Sequence, residues 1–181
     1  MYLAGRTAGV ELLGLRAGDT VLDLGCGTGL SFELLVRAVG PAGHVIGVDA
    51  SKQMLRVASR RAKRNGWENV HLVLADATAG YTLPRQVDAV FSAYALSVMK
   101  DADSALERAA TFLAPGGRVG IVDMQRPTGA ARIFTPLARM ACAFGGSDID
   151  AHPWEWLEKR GLDVRRASRC GGHIRIVSGA L

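Results

Sequence analysis

The run VLDLGCGTGL, Val21–Leu30, constrains the fold more than any other stretch of this chain. A buried-strand pattern stops at Leu24, glycines follow at positions 25, 27 and 29, and a helix-like pattern begins at Leu30. Glycine has no Cβ, so backbone of this kind can turn sharply and approach a ligand closely. Downstream, His44–Asp49, Val70–Asp76, Val87–Ala93 and Arg118–Asp123 are apolar runs of strand length. Between the runs, Leu30–Val39, Ser51–Arg64 and Ala102–Phe112 suit helices. Ser51 is placed to cap the second of these helices and Asn65-Gly66 to end it. Near-continuous apolar strands alternating with helices predict a parallel sheet covered on both faces. The last 20 or so residues change the rhythm. There DVRRASRC, two glycines and HIRIVSG predict two antiparallel strands joined by a tight turn.

At 181 residues, with no repeat, linker or low-complexity tract, the chain is expected to form one domain over 1–181. About half of it is apolar, enough for an ordinary core. No apolar run reaches the roughly 18–20 residues of a membrane span, and no secretory leader opens the chain. Cys26, Cys142 and Cys170 are odd in number and form no CxxC pair, so reduced thiols in a cytoplasm are expected. The formal charge of +5 permits an anionic partner without requiring one.

The glycine spacing narrows the ligand. A dinucleotide cradle is written GxGxxG, and Leu30 stands where its third glycine belongs. The pattern here is GxGxG with Asp23 two places ahead. Asp49 ends the second strand run, where an acid can accept both ribose hydroxyls, and Asp76 ends the third. Acids at three successive strand ends suit a ligand with a ribose, an exocyclic amine and a positive charge but no phosphate. S-adenosylmethionine has that inventory. Taken singly, Asp49 or Asp76 could instead cap a helix, Met54 could be core, and Cys26 reads as a packed thiol before it reads as a nucleophile.

The segments VLDLGCGTG, VIGVDASKQML, LVLADAT, VDAVFSAYALS and FLAPGGRVGIVD, in this order and spacing, resemble the class I S-adenosylmethionine-dependent methyltransferases. The resemblance implies an α/β, Rossmann-like, mostly parallel seven-stranded sheet with helices on both faces and a C-terminal antiparallel hairpin. It implies S-adenosyl-L-methionine as cofactor and S-adenosyl-L-homocysteine as product. Carried onto this chain, Asp23, Gly25, Cys26, Gly27 and Gly29 would hold the methionine end. Asp49 and Ala50 would meet the ribose, Met54 the adenine face, and Asp76 and Ala77 the adenine edge. Ser92, at the cofactor, and Tyr94 would face the reacting methyl.

Methyl transfer from a sulfonium requires alignment and exclusion of water, and a base only when the acceptor arrives protonated. Tyr94 in FSAYALS and His152 in SDIDAHPWEW are the catalytic candidates, one orienting the acceptor and the other removing its proton. A satisfied hydroxyl and a polar helix start are their plainer readings. Asp148, Asp150 and His152 alternate as a metal set would, yet on one short stretch they do not amount to one, so no metal is expected. The segment 125–160 is expected to cover the substrate. Ile133, Leu137, Met140, Ala141 and Phe144 would form a helix kinked at Pro136, and Trp154 and Trp156 would enclose an apolar acceptor.

The absence of an NPPY-like motif counts against nucleic-acid methylation, so the expected partner is a small, partly apolar molecule methylated at nitrogen or oxygen. A weaker resemblance, to small bacterial phosphatidylethanolamine N-methyltransferases, implies a phospholipid acceptor as the alternative. Lys52, Arg56, Arg60, Lys63 and Arg64 form a basic helix face that is either merely solvated or a peripheral contact for anionic lipid. Those enzymes begin with an extra helix over the active site. Here residues 1–19 are expected to be only a short N-terminal segment. An NAD(P)-dependent oxidoreductase, lacking its Tyr-x-x-x-Lys pair, and a non-catalytic cofactor-binding module are the remaining alternatives.

Overall fold

The structure, a computed structural model, describes residues 2–129, 135 and 148–181. Its frame is a seven-stranded sheet. The strands are β1 (Thr20–Leu24), β2 (His44–Asp49), β3 (Val70–Leu74), β4 (Val87–Ala93), β5 (Leu113–Met124), β6 (Leu162–Arg169) and β7 (Ile174–Ala180). Helices among the described residues include α1 (Tyr2–Leu13), α2 (Phe32–Val39), α3 (Lys52–Arg64), α4 (Ala102–Ala110) and α5 (Trp154–Arg160), with a 3-10 turn at Leu96–Val98. The strand order is β3-β2-β1-β4-β5-β7-β6. The first five strands pair in parallel, and β7 runs antiparallel to both β5 and β6.

Chain order explains where a ligand can sit. The chain starts at β1 in mid-sheet, steps outward to β3, then returns to β4 on the other side of β1. The crevice beyond the carboxyl ends of β1 and β4 is therefore the switch point at which open α/β sheets bind ligands. Both faces of the sheet are covered. Leu106 and Ala109 of α4 and Leu157 of α5 pack with Leu22, Leu24 and Ile46 on one face. Leu13, Leu35, Leu55 and Ala58 from α1 to α3 pack with Val21, Phe91 and Val122 on the other. Ser51 caps α3 by accepting from the Met54 N–H at 3.3 Å, and the helix stops at Asn65. The five basic residues of its outer face are all exposed.

Two expectations change. Residues 2–13 are not a bare segment but a helix lying across the sheet. Gly5 and Gly9 disguise it in the sequence, yet at spacing four they share one face. A Cβ at Gly9 would fall 2.3 Å from Val122 Cγ2, and one at Gly5 only 1.9 Å from the Tyr94 hydroxyl. The two glycines cost helix propensity, about 1 kcal/mol each, and in return the helix axis approaches the strands closely. Arg165 donates to the Leu12 carbonyl at 2.5 Å and Arg118 to that of Gly14, which fastens the end of α1. The second change concerns Trp154 and Trp156. They are 5% and 3% exposed, belong to the core beneath α4, and do not line the pocket described below. The Trp156 indole N–H donates to Glu107 at 2.9 Å, so both ends of that side chain are accounted for. The helix expected around Pro136, and Cys142 with it, lies outside the described residues.

Candidate functional site

A pocket of about 620 Å³ opens at the switch point. Its walls come from four strand ends: Gly25 and Gly27 after β1, Asp49 to Met54 after β2, Ala75 to Thr78 after β3, and Tyr94 to Asp101 after β4. Of the residues singled out from sequence, Gly25, Gly27, Asp49, Ala50, Met54, Asp76, Ala77 and Tyr94 all reach this one cavity. Asp23, Cys26, Gly29, Ser92 and His152 do not line it.

The glycine loop and Asp49 hold each other. The Gly25 and Cys26 N–H groups donate to the Val48 carbonyl at 2.9 and 3.0 Å. The Gly27 N–H donates to Asp49 Oδ2 and the Ser51 N–H to Asp49 Oδ1, each at 2.8 Å. A carboxylate offers about four lone-pair sites, so each Asp49 oxygen keeps capacity for another donor. Gly27 has φ +54°, and space for a Cβ there is open to 4 Å. Across the cavity, Asp76 Oδ1 accepts from the Thr78 N–H and hydroxyl, which lowers the carboxyl pKa below its ordinary value. Met54 is 44% exposed and faces the cavity as an apolar surface.

At the Tyr94 end the charges lie deeper. Asp23 is 1% exposed, and its Oδ2 has no hydrogen-bond partner. Arg6, on α1, has a buried and equally unpartnered Nε, and its guanidinium lies 4.8 Å over the Tyr94 ring. Tyr94 sits at φ +60°, a strained setting for a residue with a side chain. Its hydroxyl donates to the Tyr2 carbonyl at 3.3 Å, and burial holds its pKa above the ordinary value. It is a wall residue kept protonated rather than a base.

Burial raises the Asp23 pKa to about 7, with the Arg6 charge opposing and Asp49 adding. An acid whose folded pKa exceeds its unfolded value, about 3.9, holds its proton more tightly when folded. Its contribution to stability is therefore full below that value and lost as pH rises to about 7. Asp23→Asn should make the ligand-free protein melt higher than wild type at pH 8, with the difference vanishing near pH 4. A wild-type advantage at pH 8 in thermal melts would mean that the charged carboxylate stabilises the fold.

The remaining candidates act around the cavity or away from it. Ser92 is buried and donates to the Leu24 carbonyl at 2.9 Å, tying β4 to the residue before Gly25. Burial, Asp23 and Asp49 together raise the Cys26 thiol pKa, and the side chain packs inward. His152 has a half-exposed side chain, its Nδ1 3.3 Å from Glu155, and its ring stacks near Trp154. Asp150 pairs with Arg126. Among the described residues no three His, Cys, Asp or Glu side chains gather as a metal-ligand set.

Sequence reasoning missed Arg6, because α1 was missed, and it missed the brace behind the β4 wall. Asp123, fully buried at the end of β5, accepts from the Ser97 hydroxyl at 2.7 Å and the Ser97 N–H at 3.0 Å. Burial raises its pKa, and these bonds act in the opposite direction. The 3-10 turn that carries Ala95, Val98 and Met99 into the pocket is thus fixed from behind. An acid ending an apolar strand was the available signal.

A family model described as a methyltransferase domain matches residues 21–117. The chain is 36% identical over 117 residues to the demethylmenaquinone methyltransferase of Lactobacillus johnsonii, covering 64% of this chain and 48% of that protein. It is 34% identical over 120 residues to the ubiquinone/menaquinone biosynthesis C-methyltransferase UbiE of Hahella chejuensis, covering 66% and 48%. It spans about half the length of these curated relatives. A SAM dependent methyltransferase from Aquifex aeolicus has a similar fold, with TM-score 0.70 and 22% identity over 97% of this chain and 88% of that one.

Proposed function

The chain belongs to the methyltransferase-domain family, and from that premise we propose that it transfers a methyl group from S-adenosylmethionine to a small, partly apolar acceptor. One observation carries the reading: a single cavity joins an open glycine loop, Asp49 with spare acceptor capacity, Asp76 and the apolar Met54. The residues fit the cofactor on two further counts, since Asp23 Oδ2 is buried without a partner and the space beyond Gly27 is free. Asp49 would hold the ribose, Asp76 and Met54 the adenine, and Gly25, Gly27 and Asp23 the methionine end. When bound, the cofactor supplies a methyl group already activated by the sulfonium.

The chain's own part is then to orient and to exclude water. Tyr94, Val98 and Met99 make the β4 wall largely apolar, which suits an acceptor that sheds water easily. Tyr94 keeps its proton, and His152 stands outside the cavity lining. Neither of these two candidates is thus placed as the base that takes a proton from the acceptor. A nucleophile arriving already deprotonated, at nitrogen or oxygen, fits that arrangement. The names of the two quinone-pathway relatives add a ring carbon as a second kind of acceptor atom. A phospholipid amine is the second reading. Lys52, Arg56, Arg60, Lys63 and Arg64 make an exposed basic face on α3, with no acidic residue between Lys52 and Arg64, a face suited to anionic lipid.

Calorimetry should show S-adenosylhomocysteine binding and NAD failing to bind. Labelled methyl should then pass to small amines, phenols or a reduced naphthoquinone in preference to phosphatidylethanolamine vesicles. Binding of NAD alone would refute the cofactor reading, and transfer to vesicles alone would select the phospholipid.

A further inference from the structure

We propose that the outer edge of β3 is a docking site for an extended, acidic segment of a partner protein, which joins the sheet as a further strand. The two edges of the sheet, β3 and β6, are built differently. β6 carries Asp163, Arg165, Arg166 and Arg169, and its register shifts between Leu162 and Arg165. Charges and irregularities of that kind keep stray strands from pairing with an edge. β3 has neither. Val70–Leu74 reads VHLVL, without Lys, Arg, Asp, Glu or Pro, and it pairs with β2 in unbroken register. The Asn69 carbonyl accepts from the Val45 N–H at 2.9 Å, and the Ala75 N–H donates to the Asp49 carbonyl at 3.1 Å. In a parallel ladder alternate residues turn to the same neighbour, so His71 and Val73 also face β2. Val70, Leu72 and Leu74 therefore turn their N–H and C=O groups outward, and among the described residues nothing bonds to them.

Charge selects the occupant. Beside this edge runs a groove of about 610 Å³, lined by Ser59, Lys63, Trp67, Glu68, His71 and Leu72 among others. Lys63 ends a stripe on α3 that runs through Lys52, Arg56 and Arg60 at helical spacing. All four are exposed, and among the described residues none pairs with a carboxylate. Glu68 is the one acid in the groove lining. An incoming strand alternates its side chains between the two faces of the sheet. Val70 and Leu72 share the α3 face, where acids would meet the stripe, and Val73 shares the other, where apolar side chains fit. Backbone pairing would supply affinity and the alternate side chains the selection. A second copy of this chain fits less well. Antiparallel pairing of β3 with itself keeps both α3 helices on one face, side by side, and sets cation against cation.

The probe is a peptide of alternating glutamate and valine, titrated calorimetrically into the whole chain, with its lysine–valine counterpart as control. Wild type should bind the glutamate peptide at least about tenfold more tightly than the lysine one. Leu72→Pro removes an outward donor and no bond to β2, and should weaken the glutamate peptide by at least about tenfold. Leu74→Pro, where the side chain is exposed, serves if Leu72→Pro does not fold. Lys63→Glu should weaken the same peptide by about 3- to 10-fold. Proline variants that bind as well as wild type would overturn the added strand, because charge alone would then hold the peptide. Equal binding of both peptides, or of neither, would overturn the acidic partner. A wild-type dimer in sedimentation that the proline variants lose would give the edge to a second copy. Uptake of phosphatidylglycerol vesicles without peptide binding would give the stripe to lipid. Either of these last results overturns the proposal.

Discussion

Gly27→Val is expected to abolish cofactor binding, by more than about 100-fold, in a protein that still folds. Nothing lies within 4 Å of the position a Cβ would take, so the ligand-free chain suffers no clash. What it suffers is the backbone angle, since a β-branched residue at φ +54° is strained by roughly 1–3 kcal/mol. For a chain of this size that corresponds to a melting temperature lower by about 2–12 °C. The lost binding has a different origin. The branched side chain would stand in the open space beside Gly25 and Asp49, where the ligand's backbone-hugging end is expected. Gly66→Val separates the two effects. Gly66 has φ +67° and equally open space, but it follows α3 and is no part of the pocket wall. It should melt lower by a similar amount and bind normally. If Gly27→Val retains an affinity for S-adenosylhomocysteine within threefold of wild type, the loop is not the cradle.

Asp49→Ala should cost about 100-fold or more in affinity, and the structure adds a second reason to the obvious one. Two hydroxyls donating to a carboxylate are each worth about 1.5–3 kcal/mol. The same carboxylate also accepts the Gly27 and Ser51 N–H groups, so its removal slackens the glycine loop and the start of α3 together. A ligand without ribose hydroxyls tells these apart. Wild type should bind 2′,3′-dideoxy-methylthioadenosine far more weakly than methylthioadenosine, and the variant should bind the two alike. If the variant still discriminates between them, Asp49 is a brace for the loop and the diol is held by something else.

The sheet was legible because its signals are local. Five apolar runs, the Ser51 cap and the Asn65-Gly66 stop each depend on a few neighbouring residues, and all recur in the structure. The glycine loop was legible for the same reason. What could not be read depends on contacts across the chain. Gly5 and Gly9 argue against a helix until Val122 and Tyr94 are known to lie against them. Trp154 and Trp156 look like a substrate cover because aromatic residues near a site invite that reading. Their burial under α4, with Glu107 taking the indole N–H, cannot be inferred from spacing. Ser92, expected at the cofactor site, does not line the cavity, and its hydroxyl donates to the Leu24 carbonyl. Arg6 carries no motif, and only the fold sets it near Asp23.

The seating of α1 also sets an order of events during synthesis. Its main neighbours are β7 and β5, with Ile174 against Gly5, and Arg165 of β6 holds Leu12. A helix of 12 residues is marginal on its own in water. At about 5–20 residues per second, α1 waits roughly 10–40 s for the last strand that seats it. A nascent chain therefore completes its glycine loop early and its Arg6–Tyr94 wall last. Translation that stops short of Ile174 would release a polypeptide carrying the loop motif and an unseated helix, a form for proteolysis to remove rather than a partial enzyme.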